Sequence, residues 1–269
     1  MTTPGLPGPA ERHGLPAAVS EALLRAVAAN PQQMADLVQA LGRRVADDDD
    51  LAELMTQAAR GAVRLIHDAH WAGVTAQFAG VPVTAAHTEA RVLVVDEGQY
   101  GQGDGPCLAA IRLDRPVAMT VEQVRDRWPA LAQIADTAGV RSFLAEPLHV
   151  RDRPVGSLNM YSARVGGLRT PDPDIVTVLT GYLDRGLTDY SAAQPGETQA
   201  VRLRQHLRDR QLIDTAVGVL MARHSLSAAA ATDLLENNAA RHGQSVLQTA
   251  ADLIDAQNTG RPWPPPAPE

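Results

Sequence analysis

Lysine is absent from this chain: all 24 basic residues among its 269 are arginine. Together with heavy use of Ala, Val, Gly and Asp, this reads as the codon bias of a GC-rich genome and carries no functional weight. Cysteine is nearly absent too. A single Cys107 excludes an internal disulfide and fits a reducing compartment. Aromatic residues make up 3% of the chain, so any core must be built from Ala, Val and Leu, which suits packed helices better than a β-sandwich. No apolar run reaches the roughly 18 residues of a membrane span. The opening stretch MTTPGLPGPAERHG lacks the cationic start and apolar segment of a secretory signal, and a cytoplasmic location is expected. Excess positive charge is missing as well. The net charge of −7 excludes nucleic-acid binding through overall charge and leaves only local charge to supply it.

Catalytic signatures are also lacking. There is no G-x-S-x-G, P-loop or H-E-x-x-H. GQGDG at 101–105 has the wrong spacing for a dinucleotide fingerprint and follows no clear strand. No enzyme activity, cofactor or metal is expected. Three features carry weaker signals. DDDD at 47–50 reads as a helix start rather than an ion site. His67 and His70, three apart on an expected helix from Leu51 to Ala69, lack a third ligand. Cys107 follows GDGP at the start of a short helix, where a thiol is acidified; the competing reading is a small buried residue.

What is present falls into segments. Residues 1–16 are rich in Pro and Gly and read as a disordered tail. Two short helices follow within 17–46, with Pro31 just inside the start of the second. From Trp71 the pattern turns to strands: WAGVTAQFAG and VPVTAAHT as a hairpin about Gly80, then PVAMT at 116–120, RSFLAEPLHV at 141–150 and VGSLNMYSA at 155–163. Short helices lie between them, one closed by Gly139. RVLVV at 91–95 favours a strand by its β-branched content. A helix from Asp172 to Tyr190 ends the region. The order predicts an α+β domain, an antiparallel sheet with helices on one face.

After a polar linker at 191–198 the strand signals vanish. Ile213, Ala216, Val217, Leu220, Met221 and His224 share one helical face. Two more helices follow: one capped by Ser227 and stopped by Gly243, one opened by a capping box of Ser245 and Gln248. Leu234, Leu235, Val246, Ala250 and Leu253 are the expected partners of the first helix. Gly218 inside that helix costs roughly 1 kcal/mol against alanine, tolerable where a neighbouring helix approaches closely. Upstream, Val201, Leu203, Leu207 and Gln211 form a thin apolar strip flanked by Arg202, Arg204, Arg208 and Arg210, the pattern of a short dimerising coiled coil. Residues 258–269, ending in RPWPPPAPE, are expected to be disordered.

The stretch from Arg210 to Asp255, RQLIDTAVGVLMARHSLSAAAATDLLENNAARHGQSVLQTAADLID, resembles the ANTAR domain, a three-helix RNA-binding domain of bacterial antitermination regulators. Arg210, Ile213, Asp214, Ala216, Gly218, Leu220, Met221, Ala231, Leu235 and Ala250 carry the likeness. DEGQYGQGDGPCLAA, DRWPALAQIADTAGVRSFLAEPL and VGSLNMYS resemble a GAF domain of the kind joined to ANTAR domains. In that family the stretch before QYGQGDGPC is helical. The resemblance implies an α+β GAF sensor domain at 47–190 and an all-α, three-helix ANTAR domain at 199–257. It implies a homodimer that binds stem-loops in nascent transcripts and opposes termination.

The RNA-contacting residues expected from this are Arg204, Arg208, Arg210, Arg223, Arg241 and His242. Between Thr198 and Asn258 the arginines and the carboxylates are equal in number, so binding requires the positive charge to gather on one side. Where the family carries a late hydroxyl and following polar or basic residues, this chain has Ala239, Gly243 and Gln244. A small ligand in the GAF domain would meet Phe78, His87, Tyr100, Trp128, Phe143 and Tyr161. The alternative is a ligand-sensing protein whose helical C-terminal domain docks a protein partner rather than RNA.

Overall fold

The computed structural model describes residues 15–78, 80–193 and 197–263, with the backbone alone described for Phe78, Ala193 and residues 197–204. The chain divides into two compact units, Met1–Pro195 and Gly196–Glu269. Residues 1–14 and 264–269 of the expected tails lie outside the described residues.

The first unit opens with α1 (Ala17–Ala29), α2 (Pro31–Leu41) and α3 (Asp48–Leu65). The aspartate run starts α3 as a cap. The Asp47 side chain accepts a hydrogen bond from the Asp50 amide at 2.9 Å, and three further aspartates sit in the first turn against the positive helix end. Because α3 ends at Leu65, His67 and His70 are not on one helix face. His70 instead meets the Asp68 carbonyl and the Ser162 hydroxyl. Next come the hairpin β1 (Trp71–Phe78) and β2 (Val81–His87), α4 (Ala90–Gln102), α5 (Pro106–Leu113) and β3 (Val117–Thr120). They are followed by α6 (Val121–Arg127), α7 (Pro129–Ala138), β4 (Ser142–Val150), β5 (Arg153–Ser162) and α8 (Pro173–Ala193).

The sheet is antiparallel with strand order β2-β1-β5-β4-β3. In register, Trp71 lies opposite Tyr161 and Gly73 opposite Asn159; Phe143 lies opposite Tyr161 on the other flank. These residues share one face, which packs on Val92 and Val95 of α4, Ala109 of α5 and Leu131 of α7. Strand alternation sends Ala72, Val74, Leu144, Leu158 and Met160 to the opposite face. All five are buried, and α3 and α8 contact the sheet there. Helices therefore cover both faces, not one. Two buried faces need two covers, and the nearly continuous burial along β5 reflects that.

RVLVV forms the first turns of α4, not a strand. Val92, Val95, Asp96 and Gln99 are its buried residues, spaced as one helical face. Gly73 makes this packing possible: a Cβ there would lie 2.7 Å from Val92 and 3.4 Å from an Asp96 oxygen.

The second unit is α9 (Glu197–His224), α10 (Ala228–His242) and α11 (Val246–Thr259). Ala216 and Leu220 of α9, Ala231 and Leu235 of α10, and Ala250, Leu253 and Ala256 of α11 form its core, with Ile213, Val217, Leu234 and Val246 packed around it. Ser227 caps α10 and Gly243 closes it in the left-handed conformation at φ 63°. Ser245 caps α11, but the reciprocal half of the expected box is missing. The Gln248 side chain donates to Asp252 at 3.0 Å instead. Two further expectations fail. A Cβ on Gly218 would meet nothing within 4 Å among the described residues, so none of the described helices approaches there. Trp263, in a segment expected to lack structure, is 9% exposed and belongs to the bundle core.

Candidate RNA interface and a buried polar network

The second unit carries its cations at the surface. Arg208 and Arg223 on α9 and Arg241 on α10 are exposed, and none has an ion-pair partner among the described residues. Of the carboxylates, Asp209 accepts from Gln205, Asp252 from Gln244 and Gln248, and Asp255 pairs with Arg261, while Asp233 and Glu236 of α10 are exposed. A domain of balanced charge thus presents guanidinium groups that form no ion pair among the described residues.

The cations do not form the single tight cluster expected. Arg210 is half-buried. It lies two positions along the helix from Arg208, a rotation of about 200°, so the two point to opposite flanks of α9. Arg208 and Arg223 lie within about 60° of each other in rotation but about 22 Å apart along the axis. His242 is half-buried, with Nδ1 on the Asn238 carbonyl at 2.9 Å. The Arg204 side chain lies outside the described residues. Of the three departures, Ala239 is 2% exposed and faces the core, Gly243 is the α10 cap, and Gln244 donates to Asp252 at 2.9 Å.

The first unit has a second chemical centre that sequence reasoning did not find as a whole. Beneath α4, the sheet carries a chain of hydrogen bonds with one direction. The Ser157 hydroxyl donates to Asn159 Oδ1 at 2.8 Å, and the Asn159 amide donates to Thr75 Oγ1 at 2.7 Å. Thr75 and Thr84 each contact the Tyr100 hydroxyl, at 2.9 and 3.0 Å, and Thr84 donates to Asp96 Oδ2 at 2.9 Å. An amide N–H can only donate and each hydroxyl carries one proton. The order therefore runs from Asn159 through Thr75, Tyr100 and Thr84 to Asp96. The Tyr161 hydroxyl donates to Asp96 Oδ1, and Gln99 Nε2 lies 3.4 Å from the same oxygen. The other end of Gln99 accepts the Cys107 amide at 2.9 Å, satisfying one free N–H at the start of α5.

Asp96, Thr75, Gln99 and Ser157 are fully buried, and no cation touches the carboxyl among the described residues. Burial pushes Asp96 up to about 7, against the pull of the Tyr161 and Thr84 hydroxyls. Burial likewise holds the phenols of Tyr100 and Tyr161 well above their ordinary value. It does the same to the Cys107 thiol. A helix start does not acidify a thiol that water cannot reach, so the nucleophilic reading of Cys107 fails.

Of the six residues expected around a ligand, Trp128, Phe143 and Tyr161 lie in one buried cluster, Phe143 edge-on to Tyr161 with ring centroids 5.6 Å apart. Tyr100 joins them through the polar network. His87 is half-buried on β2, the outer strand. The Phe78 side chain lies outside the described residues. Among the described residues no group of three His, Cys, Asp or Glu is arranged to hold a metal, and no helix is long and apolar enough to cross a membrane.

The chain thus carries two modules, a sheet domain with a buried polar network and a small helical domain with exposed arginines. Residues 48–187 match the family model of the GAF domain, and residues 201–254 match that of the ANTAR domain. The chain belongs to the GAF domain family and carries an ANTAR domain behind it.

A search of curated proteins finds no match to the chain. Solved structures similar to the chain include a type II free methionine-R-sulfoxide reductase from Thermoplasma acidophilum, at 15% identity and TM-score 0.39, covering 53% of this chain and 93% of that one. A domain of a two-component sensor histidine kinase from Sinorhizobium meliloti 1021 is similar at 20% identity and TM-score 0.38, covering 52% and 88%. A structure described as that of the GAF domain is similar at 13% identity and TM-score 0.42, covering 69% and 98%.

Proposed function

We propose that this protein is a transcription antitermination regulator: its ANTAR domain binds hairpins of nascent RNA, and its GAF domain sets when it does so. The observation that carries the reading is the ANTAR match over 201–254 on a bundle whose Arg208, Arg223 and Arg241 are exposed and unpaired among the described residues. Phosphate contacts supply most non-specific RNA affinity, and solvated guanidinium groups make those contacts. The protein acts as a cytoplasmic homodimer, without enzymatic activity, in which each copy grips one stem-loop. A small ligand of the GAF domain would bear on Tyr100, Trp128, Phe143 and Tyr161, with Phe78 and His87 at the strand ends. Electrophoretic mobility shift with leader hairpins tests the reading, and loss of the shift in an Arg208→Ala, Arg223→Ala, Arg241→Ala variant assigns the surface.

A second reading is favoured by the balanced charge and by Gln244 being held on Asp252: the helical domain docks a protein. A complex that survives nuclease treatment while no hairpin binds would establish it.

A further inference from the structure

Where β4 meets α8, one histidine stands between two carboxylates. His149 Nε2 lies 2.7 Å from Asp114 Oδ1, and His149 Nδ1 lies 3.3 Å from Asp184 Oδ2. The His149 backbone N–H also donates to Asp184 Oδ1 at 2.7 Å. Three elements converge: Asp114 caps α5, His149 is on β4, and Asp184 is on α8. The arrangement is built rather than incidental. Asp114 holds a left-handed conformation at φ 49°, a cap position that glycine fills most easily. The β4–β5 register shifts between Leu148 and His149, the kind of bulge that re-aims a side chain.

A neutral imidazole has one N–H and one bare nitrogen. In either tautomer a lone pair would face a carboxylate oxygen. The doubly protonated ring satisfies both partners. We propose that His149 is a proton-operated latch: as imidazolium it fastens α8 to the sheet and to the end of α5, and on deprotonation one of those ties is lost. The chain passes from α8 into the second domain, so the latch bears on the helix that leads there. The inference is independent of what that domain binds.

The surrounding charges do not replace the latch. On α8, the neighbouring Arg185 guanidinium donates to the Leu41 carbonyl and lies over Tyr182. On α5, Arg112 pairs with Asp104. Arg115, after α5, and Arg153, on β5, make no ion pair among the described residues. The turn at Arg151 adds an uncharged tie, its N–H donating to Thr188 Oγ1 at 3.4 Å.

Burial works to lower the His149 pKa. The hydrogen bond to Asp114 and the charge of Asp184 outweigh it, and the net displacement is upward from 6.5. A raised folded-state value means the stabilisation is complete below about 6.5 and is lost as pH rises through the higher folded value. Burial also holds Asp184 above its ordinary value, against the pull of the His149 bonds, which gives the same sign.

The test uses the full-length protein. Hydrogen exchange of α8 amides near Asp184, corrected for the intrinsic pH dependence, is measured between about pH 6 and pH 8.5, beside an NMR titration of the imidazole. Protection is expected to be lost progressively as pH rises over that range. It should not change with pH in His149→Gln, and Asp114→Asn should move the imidazole titration to lower pH. The same fall in His149→Gln, or an imidazole titrating at or below its ordinary value in the unaltered protein, overturns the latch. Should His149→Gln fail to fold, the Asp114→Asn titration decides alone.

Discussion

The hydroxyl of Tyr161 donates to the carboxyl of Asp96 across 65 residues of sequence, tying β5 to α4 in the interior of the GAF domain. The same acid ends a separate directed chain of donors that runs from Asn159 through Thr75, Tyr100 and Thr84. The carboxyl is fully buried without a cation among the described residues, so its charge is held only by neutral dipoles.

The pH dependence of stability follows from this. Asp96 is raised from 3.8 to about 7, chiefly by burial. Between those values the folded form keeps the proton and the unfolded form releases it. Stability is therefore fully present below about 3.8 and declines as pH rises, by up to about 1.4 kcal/mol per unit until the folded value is passed. Asp96→Asn should remove this slope. Urea titrations at about pH 5 and pH 8 would show it as a midpoint that moves less between them than in the unaltered protein, the remainder belonging to Glu146, His149 and Asp184, which burial or pairing also raises.

Gly218 should tolerate a side chain. It lies inside α9 with open space around its Cβ position and has no positive φ. Gly218→Ala is expected to stabilise the ANTAR bundle by about 1 kcal/mol, read as a higher midpoint in thermal denaturation. A lower midpoint would show that a neighbour presses there after all.

Trp263 should matter despite its place among prolines. It is packed with Leu220, Leu235 and Leu253 in the bundle core. Trp263→Ala is expected to cost about 3 kcal/mol, the low end of buried aromatic truncation, measurable by denaturation. No loss would mean that the ring contributes nothing to the bundle.

Cys107 should resist alkylation in the folded protein and react on unfolding, because burial raises its thiol well above the ordinary range. Rapid labelling under native conditions would revive the nucleophilic reading. Cys107→Ala is expected to leave RNA binding intact in a mobility-shift assay.

The three ANTAR helices and all five strands were legible because their apolar residues carry the period. Ala216, Leu220, Leu235 and Leu253 repeat at helical spacing, and β1 and β2 flank a glycine at φ 80°. RVLVV, at the start of α4, favours a strand by sequence because half of the helix's buried stripe is polar. Val92 and Val95 alone give no helical period; adding Asp96 and Gln99 completes it, and hydropathy counts neither as buried. The short α6 was missed, although Thr120 and Gln123 form a full capping box before it.

The polar network was illegible for a different reason. Its members come from β1, β2, α4 and β5, and only tertiary pairing brings them together. Tyr100 and Tyr161 were visible as candidates, but Thr75, Thr84, Asp96 and Asn159 carried no local signal. The arginines were read as a cluster from their closeness in sequence. A helix separates neighbours two apart, which is why Arg208 and Arg210 diverge.

The most direct test of the functional account is the salt dependence of binding to a leader hairpin, measured by fluorescence anisotropy with full-length protein. The account predicts a linear fall of log affinity with log salt. Its slope should shrink by roughly 0.7–0.9 for each of Arg208→Ala, Arg223→Ala and Arg241→Ala. Binding that is absent for every hairpin at low salt, or a slope unchanged when all three are removed together, would contradict it.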